Sequence, residues 1–423
     1  MLQYNQYTDE QIKYLIKLKE EEQLEWKNIA KKFNNEFEKE KTIGALRKVY
    51  SRYRNIDFSN DSFIANAKQV FSTKKRDSRL VRENKILIGE MANLEEARET
   101  FTLLLDKVKF KLHKPIKHRT KSSKIKRTLV AHLSDTHYGE NISLGEMGGL
   151  NEYNPLVAAR RTALFFKQTS DYKIQHRGET DLVLLLNGDL AAGIIHNQEN
   201  GVELMTKQFA ILLTIIGQGI TYLAQRFDKI TVYCTPDNHM RFQHKASKNR
   251  VRSQKWDSFA TMAYLALKNE FKKYPNIKFI IPESPYVIFE AQGKKCLATH
   301  GDTVFDVGNP SKVLNLEKIG AEINKINNSD LAIEDKIDIF FIAHVHTPMI
   351  ALLDNGSYVF INGCLSGLNT FGQSIGLFGN HPTQQIVELT KDYVGDCRLV
   401  RVKKGDEDKS LDKIIEYDEK FLD

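Results

Sequence analysis

The chain has 423 residues, of which 41% are apolar and 27% are charged, and its formal net charge is +8 at pH 7. These values are ordinary for a globular protein with room for two or three domains and a sizeable core. The excess of basic residues favours an anionic partner such as nucleic acid, although the charge of a whole chain is a weak indicator.

Cysteine usage and apolar runs argue against a secreted or membrane-spanning protein. Cys234, Cys296, Cys364 and Cys397 form no C-x-x-C pair and no disulfide framework, which indicates buried thiols in a reducing compartment. The N-terminus has no basic stretch followed by an apolar run, so no signal peptide is expected. The longest apolar stretch, 209–216, is too short to cross a bilayer. The sequence therefore predicts a cytoplasmic protein that does not contact a membrane.

Three short helices are predicted over residues 8–55. Thr8 and Thr42 are candidate N-caps of the first and third helices, and Trp26 opens the second. The third helix has basic residues on the face opposite its apolar positions. Three short helices with a basic third are typical of helix-turn-helix modules, and this stretch resembles Myb/SANT or homeodomain-like domains.

The resemblance implies a DNA-binding domain over residues 1–58. Arg47, Lys48 and Arg52 on the third helix would then contact DNA, because that helix is the one that enters a groove. A protein-docking module with a solvated basic face is the alternative.

Residues 59–110 are predicted to be a helical linker. Apolar residues recur every seven positions in its second half, which is the spacing of a coiled coil. This stripe predicts either a homodimer or a helix that packs on the chain's own catalytic domain. The next segment, 111–127, has eight Lys or Arg and no acid, so it is predicted to be a basic linker that could follow a phosphate backbone.

From Thr128 onward, short apolar strands alternate with helices, which predicts an α/β layered core followed by a second sheet. We expect the catalytic domain to cover 128–404. The polar tail, 405–423, is expected to fray.

Metal-ligand residue types follow the predicted strands one after another. In open α/β sheets, sites form where the strands end. A single Asp-x-His or His-x-His pair would be weak evidence, but five such segments in sequence indicate a metal site. The predicted ligands are Asp135, His137, Asp189, Asn238, His300, His344 and His346.

The order of these segments resembles the five-motif pattern of calcineurin-like metallophosphoesterases, over about residues 128–395. The motifs are Asp135-x-His137, Gly188-Asp189, Asn238-His239, His300-Gly301 and His344-x-His346. The resemblance implies an α/β (α+β) fold with a metallophosphoesterase β-sandwich flanked by helices. It also implies a centre of two divalent metal ions, most often Mn²⁺ and in some members Fe or Zn.

The resemblance also assigns roles by motif. Asp189 would bridge the two ions, and His239 would not bind metal but would face the scissile phosphate and stabilise or protonate the leaving oxygen. Two such cations can clamp a phosphodiester and activate a water for in-line attack. The first ion would be held by Asp135, His137, Asp189 and His346, and the second by Asp189, Asn238, His300 and His344.

The sequence departs from the pattern after His239, where the family has an acidic residue and this chain has Met240. The missing acid leaves the support of the His239 imidazole open. Basic residues beside the motifs are candidate substrate contacts, since they would lie where a nucleic-acid backbone passes. These are Arg241, His196, His244 and Lys245.

Within the family, the chain looks closest to DNA repair exonucleases of the SbcD type, especially phage-encoded relatives. A DNA nuclease whose N-terminal domain positions the substrate is therefore the leading prediction, with an SbcC-like ATPase as a partner to consider. The sequence leaves two alternatives open. One is a small-molecule or cyclic-nucleotide phosphodiesterase, and the other is a DNA-binding regulator with a non-catalytic phosphoesterase core.

Overall fold

The computed structural model of the chain describes residues 7–54, 126–175, 179–193, 202–242, 255–303, 316–329, 336–374 and 381–418. The predicted heptad helix and the basic linker before Lys126 lie outside these residues, so their roles stay predictions. The chain divides into two compact units, Met1–Glu96 and Ala97–Asp423, each of which is described by itself.

The described part of the N-terminal unit, residues 7–54, contains three helices around a small apolar core. Thr8 accepts a hydrogen bond from the Gln11 backbone N–H and Thr42 accepts one from Ala45, so both predicted caps form. Phe33 and Leu46 are fully buried between the helices. The helices are α1 (Asp9–Glu20), α2 (Trp26–Phe37) and α3 (Ile43–Tyr53).

The C-terminal unit is a mixed α/β fold with two sheets, as predicted. The first sheet has the strand order β11-β10-β1-β2-β3-β4, and the second has the order β5-β6-β7-β9-β8. The strands are β1 (Lys126–Leu133), β2 (Glu179–Leu186), β3 (Ile230–Cys234), β4 (Ile277–Ile280), β5 (Tyr286–Ala291), β6 (Lys294–Thr299), β7 (Ile339–Ile342), β8 (Met349–Leu352), β9 (Tyr358–Ile361), β10 (Thr383–Thr390) and β11 (Val394–Arg401). The helices are α4 (Pro155–Gln175), α5 (Met205–Ala224), α6 (Phe259–Glu270), α7 (Leu316–Asn327) and α8 (Thr370–Ser374).

The two sheets pack face to face, with helices on both outer faces. Val130 and Leu185 of the first sheet meet Phe341 and Phe360 of the second in one buried cluster. A larger cluster joins the other face of the first sheet to α4, α5 and α6. A third cluster joins the second sheet to α7. This arrangement confirms the predicted β-sandwich flanked by helices.

Strand direction brings the site together. β1, β2 and β3 are parallel and adjacent, so their C-terminal ends lie at one edge of the first sheet. β6 and β7 are also parallel.

No helix among the described residues is long and apolar enough to cross a membrane.

The segment after Gly405 does not fray over its described part, contrary to expectation. Leu411 and Ile415 join the main apolar cluster. The fully buried guanidinium of Arg161 on α4 donates to both carboxylate oxygens of Asp406, each at 2.7 Å. The expectation was wrong because these partners lie far apart in sequence, and local polarity does not reveal them.

Candidate metal centre

Both sheets contribute predicted ligands to the same place. Asp135 and His137 follow β1, and Asp189 follows β2. His344 follows β7, and its backbone N–H lies 3.2 Å from the Asp135 carboxylate oxygen Oδ1, to which it donates. The two sheets are thus joined directly at the site.

The first group consists of Asp135, His137 and His346. One ligand atom from each lies within 4.8 Å of the other two. His346 Nε2 is 3.2 Å from His137 Nε2 and 3.3 Å from Asp135 Oδ1. These atoms converge on a space suited to one cation.

The second group consists of Asp189, His300 and His344, again with ligand atoms within 4.8 Å of one another. His300 Nε2 lies 3.0 Å from Asp189 Oδ2 and 3.0 Å from Asn238 Oδ1. The structure therefore brings the predicted amide ligand Asn238 to the same group.

The donor atoms fit divalent cations. Asp189 Oδ2 is closed off from solvent, and its near neighbours are the imidazole nitrogens His300 Nε2 at 3.0 Å and His239 Nε2 at 3.7 Å. A buried carboxylate costs free energy unless a cation or a charged donor neutralises it. Oxygen and imidazole donors without a thiolate suit Mn²⁺, Fe²⁺ or Zn²⁺.

The backbone at the site is held in an unfavourable conformation. Of the eight non-glycine residues with positive φ in the described part of the chain, five are predicted ligands. Such conformations cost about 1–3 kcal/mol each and persist where the surrounding fold determines them, often at functional sites. The five are Asp135 (φ 48°), His137 (47°), Asp189 (48°), His344 (71°) and His346 (63°).

The electrostatics favour ionised carboxylates and neutral imidazoles at several positions. Burial opposes the ionisation of Asp189, but the imidazoles of His239 and His300 prevail and hold its pKa well below the usual range. Burial lowers the pKa of His344 to about 4, with help from His300. Burial opposes the His300 imidazolium, yet Asp189 raises the pKa of His300 to about 10. Without a cation, His300 therefore holds a proton that a metal would displace.

His239 is oriented by a backbone carbonyl. Its Nδ1 lies 2.7 Å from the oxygen of Ala192, to which it donates, so Nε2 is left facing the site, 3.7 Å from Asp189 Oδ2. Met240, at the position of the family's acid, is fully buried in the core. The orienting hydrogen bond therefore does not depend on an acid at that position.

Gly193 allows this contact. Its φ is +72°, and a Cβ at this position would overlap the carbonyl oxygen of His239. Glycine is the residue that accepts both the left-handed backbone and the close approach.

The chain matches no family model and no curated protein sequence. Its fold aligns loosely with several solved structures. A predicted phosphoesterase from Streptococcus pneumoniae TIGR4 matches over 65% of this chain and 90% of its own, at 12% identity and a TM-score of 0.27. The 5'-nucleotidase of Candida albicans SC5314 matches over 72% of this chain and 56% of its own, at 12% identity and a TM-score of 0.32.

The sulfate thiohydrolase SoxB of Thermus thermophilus matches over 70% of this chain and 60% of its own, at 10% identity and a TM-score of 0.29. The chain thus spans little more than half the length of this protein and of the nucleotidase. All three TM-scores are below 0.5, so these alignments assign no function to the chain.

Asp237 supports the site and was missed as a functional residue. Its carboxylate accepts from the backbone N–H groups of Asp189 (2.9 Å) and Met240 (2.8 Å), which fixes the two loops to each other. Burial, and then the charge of Asp189, raises the pKa of Asp237 to about 6. The sequence places Asp237 directly before the predicted ligand Asn238, but its contact with Asp189 depends on how the two loops fold.

Glu140 is a second carboxylate that the sequence did not reveal. Its Oε1 accepts from the Asn369 side chain at 2.7 Å, and its Oε2 is closed off from solvent without a donor. Burial raises its pKa, while Asn369, His239 and His346 oppose that rise. No local pattern marks Glu140, because its partner Asn369 is distant in sequence.

The predicted substrate contacts are only partly described. Arg241 forms an isolated bridge with Ser258 beside the third ligand loop. His196, His244 and Lys245 lie outside the described residues. On α3, the predicted contacts Arg47, Lys48 and Arg52 are exposed.

Proposed function

We propose that the chain is a metal-dependent phosphodiesterase that hydrolyses DNA. The observation that carries the hydrolytic part is the pair of adjacent ligand groups, with Asp189 in one of them and His239 beside it. Two cations and a neighbouring imidazole are the parts that phosphodiester hydrolysis requires.

The predicted ligands divide between two ions. Asp135, His137 and His346 would hold one, Asn238, His300 and His344 would hold the other, and Asp189 would serve both. When bound, such an ion pair neutralises phosphate charge and makes water a stronger nucleophile at neutral pH.

The protein's own groups orient the substrate and move a proton. Since Ala192 fixes Nδ1 of His239, Nε2 is the nitrogen available to hold a proton for the leaving oxygen. Gly193 lets the two loops approach closely enough for this contact. A general acid of this kind contributes roughly 10²–10⁴-fold.

DNA is the proposed substrate because of the basic segments of the chain. Lys48 and Arg52 lie one turn apart on α3 and are exposed, as a backbone-contacting helix requires. The linker 111–127 adds eight further basic residues in the sequence. A homodimer through the heptad stripe and an ATPase partner remain additional proposals.

The test is Mn²⁺-dependent digestion of single-stranded, blunt and nicked DNA by the full chain, with bis-p-nitrophenyl phosphate as a small diester. We expect cleavage of both substrate types, and loss of both in an Asp189→Ala, His239→Ala double variant. Cleavage of the small diester without cleavage of DNA would favour a small-molecule phosphodiesterase. Unaltered DNA cleavage by the double variant would overturn the mechanism.

A further inference from the structure

Four basic residues lie together where β11 ends and β10 begins. His381, Arg401, Lys403 and Lys404 surround a cavity of about 290 Å³, whose remaining lining residue is Pro382. All four basic residues are exposed, and none of the described residues that line the cavity is acidic. We call these four residues the basic ledge.

Topology places the basic ledge and the metal centre at the same end of the first sheet, where β1 and β11 both finish. β1 and β11 are both antiparallel to β10, so they run in the same direction and end at the same edge. Arg401, the last residue of β11, therefore lies at the edge where β1 leads into Asp135. Since adjacent strands are about 4.8 Å apart, the two-strand step from β1 to β11 is roughly 10 Å.

Hydrogen bonds connect the basic ledge to the site. Arg401 is paired with Thr383, whose N–H donates to Cys364 O at 3.0 Å. The next residue, Leu365, donates its N–H to the Asp135 carbonyl at 2.9 Å. The basic ledge is therefore fixed relative to the first ligand loop by a short, continuous series of contacts.

Two acidic residues that follow the basic ledge in the sequence, Asp406 and Asp412, are neutralised by arginine partners. Asp406 binds the buried Arg161, and Asp412 accepts two hydrogen bonds from Arg160, at 2.8 and 3.0 Å. Glu407, which follows Asp406 in the sequence, is exposed to solvent. With both arginine-bound carboxylates compensated, the basic ledge keeps an excess of positive charge.

We propose that the basic ledge binds backbone phosphates of the DNA strand whose scissile phosphate lies at the metal centre. This inference rests on the proposed function. A separation of roughly 10 Å is within the reach of a few nucleotides of one DNA strand, whose axial rise even in a compact duplex is about 3.4 Å per nucleotide. A positively charged groove beside the centre is how proteins hold a polynucleotide backbone without reading its sequence.

The test compares two charge-removing variants of the full chain on a labelled oligothymidylate. The first is Arg401→Gln with Lys404→Gln. The matched control is Lys272→Gln with Lys273→Gln, which removes the same charge from two exposed residues just before β4, at the opposite edge of the sheet.

We expect the ledge variant to raise the KM for the oligothymidylate about tenfold with little change in kcat. A plot of log(kcat/KM) against log salt has a negative slope, and the ledge variant should make that slope less steep by about 1.4. Each phosphate contact on a single strand contributes about 0.7, and the variant removes two. The control should keep the wild-type slope. The KM for bis-p-nitrophenyl phosphate should change less than the KM for the polymer, since the small diester is too short to reach the basic ledge.

The outcomes separate the two proposals. If the ledge variant keeps the wild-type KM and salt slope while the wild type cleaves the oligothymidylate, the ledge proposal is overturned and the proposed function stands. An equal loss in both variants would also overturn it, because the effect would then come from total charge. If the wild type cleaves only the small diester, the DNA substrate is wrong and the ledge proposal falls with it.

Discussion

The metal centre and the basic surfaces differ in how strongly the fold determines them. At the centre, residues such as Asp135 and Asp189 are buried, have positive φ and are hydrogen-bonded to neighbouring loops. On α3 and the basic ledge, the charged side chains are exposed and conformationally ordinary. The scaffold fixes the ligand geometry, whereas the proposed DNA substrate depends on surface charge that can change without altering the fold.

The largest expected effect comes from Asp189. Asp189→Asn removes the carboxylate that faces both His239 and His300, so we expect at least about a thousandfold loss of kcat on DNA and on the small diester alike. Asp181→Asn is the matched control, since Asp181 lies on β2, the strand that leads into Asp189, with its side chain more than a third exposed. Steady-state kinetics with Mn²⁺ measure both, and a variant with near-wild-type kcat would contradict the role of the centre.

His239 is expected to have a large but substrate-dependent effect. His239→Ala should reduce kcat on DNA by roughly 10²–10⁴-fold, because the alkoxide leaving group needs a proton. On bis-p-nitrophenyl phosphate the loss should be much smaller, since nitrophenolate leaves without protonation. Equal losses on the two substrates would show that His239 acts otherwise.

A substitution at Gly193 tests whether the close contact between the Gly193 and His239 backbones is needed to orient the His239 side chain. Gly193→Ala places a Cβ on the His239 carbonyl oxygen, so we expect kcat on DNA to fall by about one to two powers of ten as the loops separate. Gly293→Ala is the control, since it has nearly the same φ (+74° against +72°) and open space around its Cβ. Equal kcat in the two variants would mean that strain alone, and not the close approach, explains the effect.

The smallest expected effect comes from α3. Lys48→Gln with Arg52→Gln should weaken DNA binding by about tenfold and reduce its salt dependence, with little change on the small diester. Lys27→Gln with Lys31→Gln on α2 removes the same charge from exposed positions and serves as the control. Fluorescence anisotropy at several salt concentrations distinguishes them, and equal weakening by both would remove α3 from the account.

The fold class and the positions of the ligand types could be predicted from the sequence because each follows an apolar strand. The strands β10 and β11 could not be predicted from the sequence. Every residue of β10 is buried, including the polar Gln384, Gln385 and Glu388. Their partners are distant in sequence: Gln384 contacts Ser134, and Glu388 pairs with Arg127 at 3.0 Å. A strand whose buried side chains are polar has no hydrophobic pattern from which to predict it.

The sequence could predict which residues form the site but not the contacts between its loops. Residue types at strand ends indicated the two groups, but the hydrogen bond from His239 to Ala192 and the role of Asp237 depend on loop geometry. Met240 left the orientation of His239 open in the sequence. The structure supplies a carbonyl acceptor instead, which no residue type could have revealed.

The most direct test of the central claim is electron paramagnetic resonance of the full chain titrated with Mn²⁺. Two ions that share Asp189 should give a spin-coupled dinuclear spectrum, and Asp189→Asn should abolish the coupling. A spectrum of isolated, uncoupled Mn²⁺ at saturation, or no specific binding, would contradict the account.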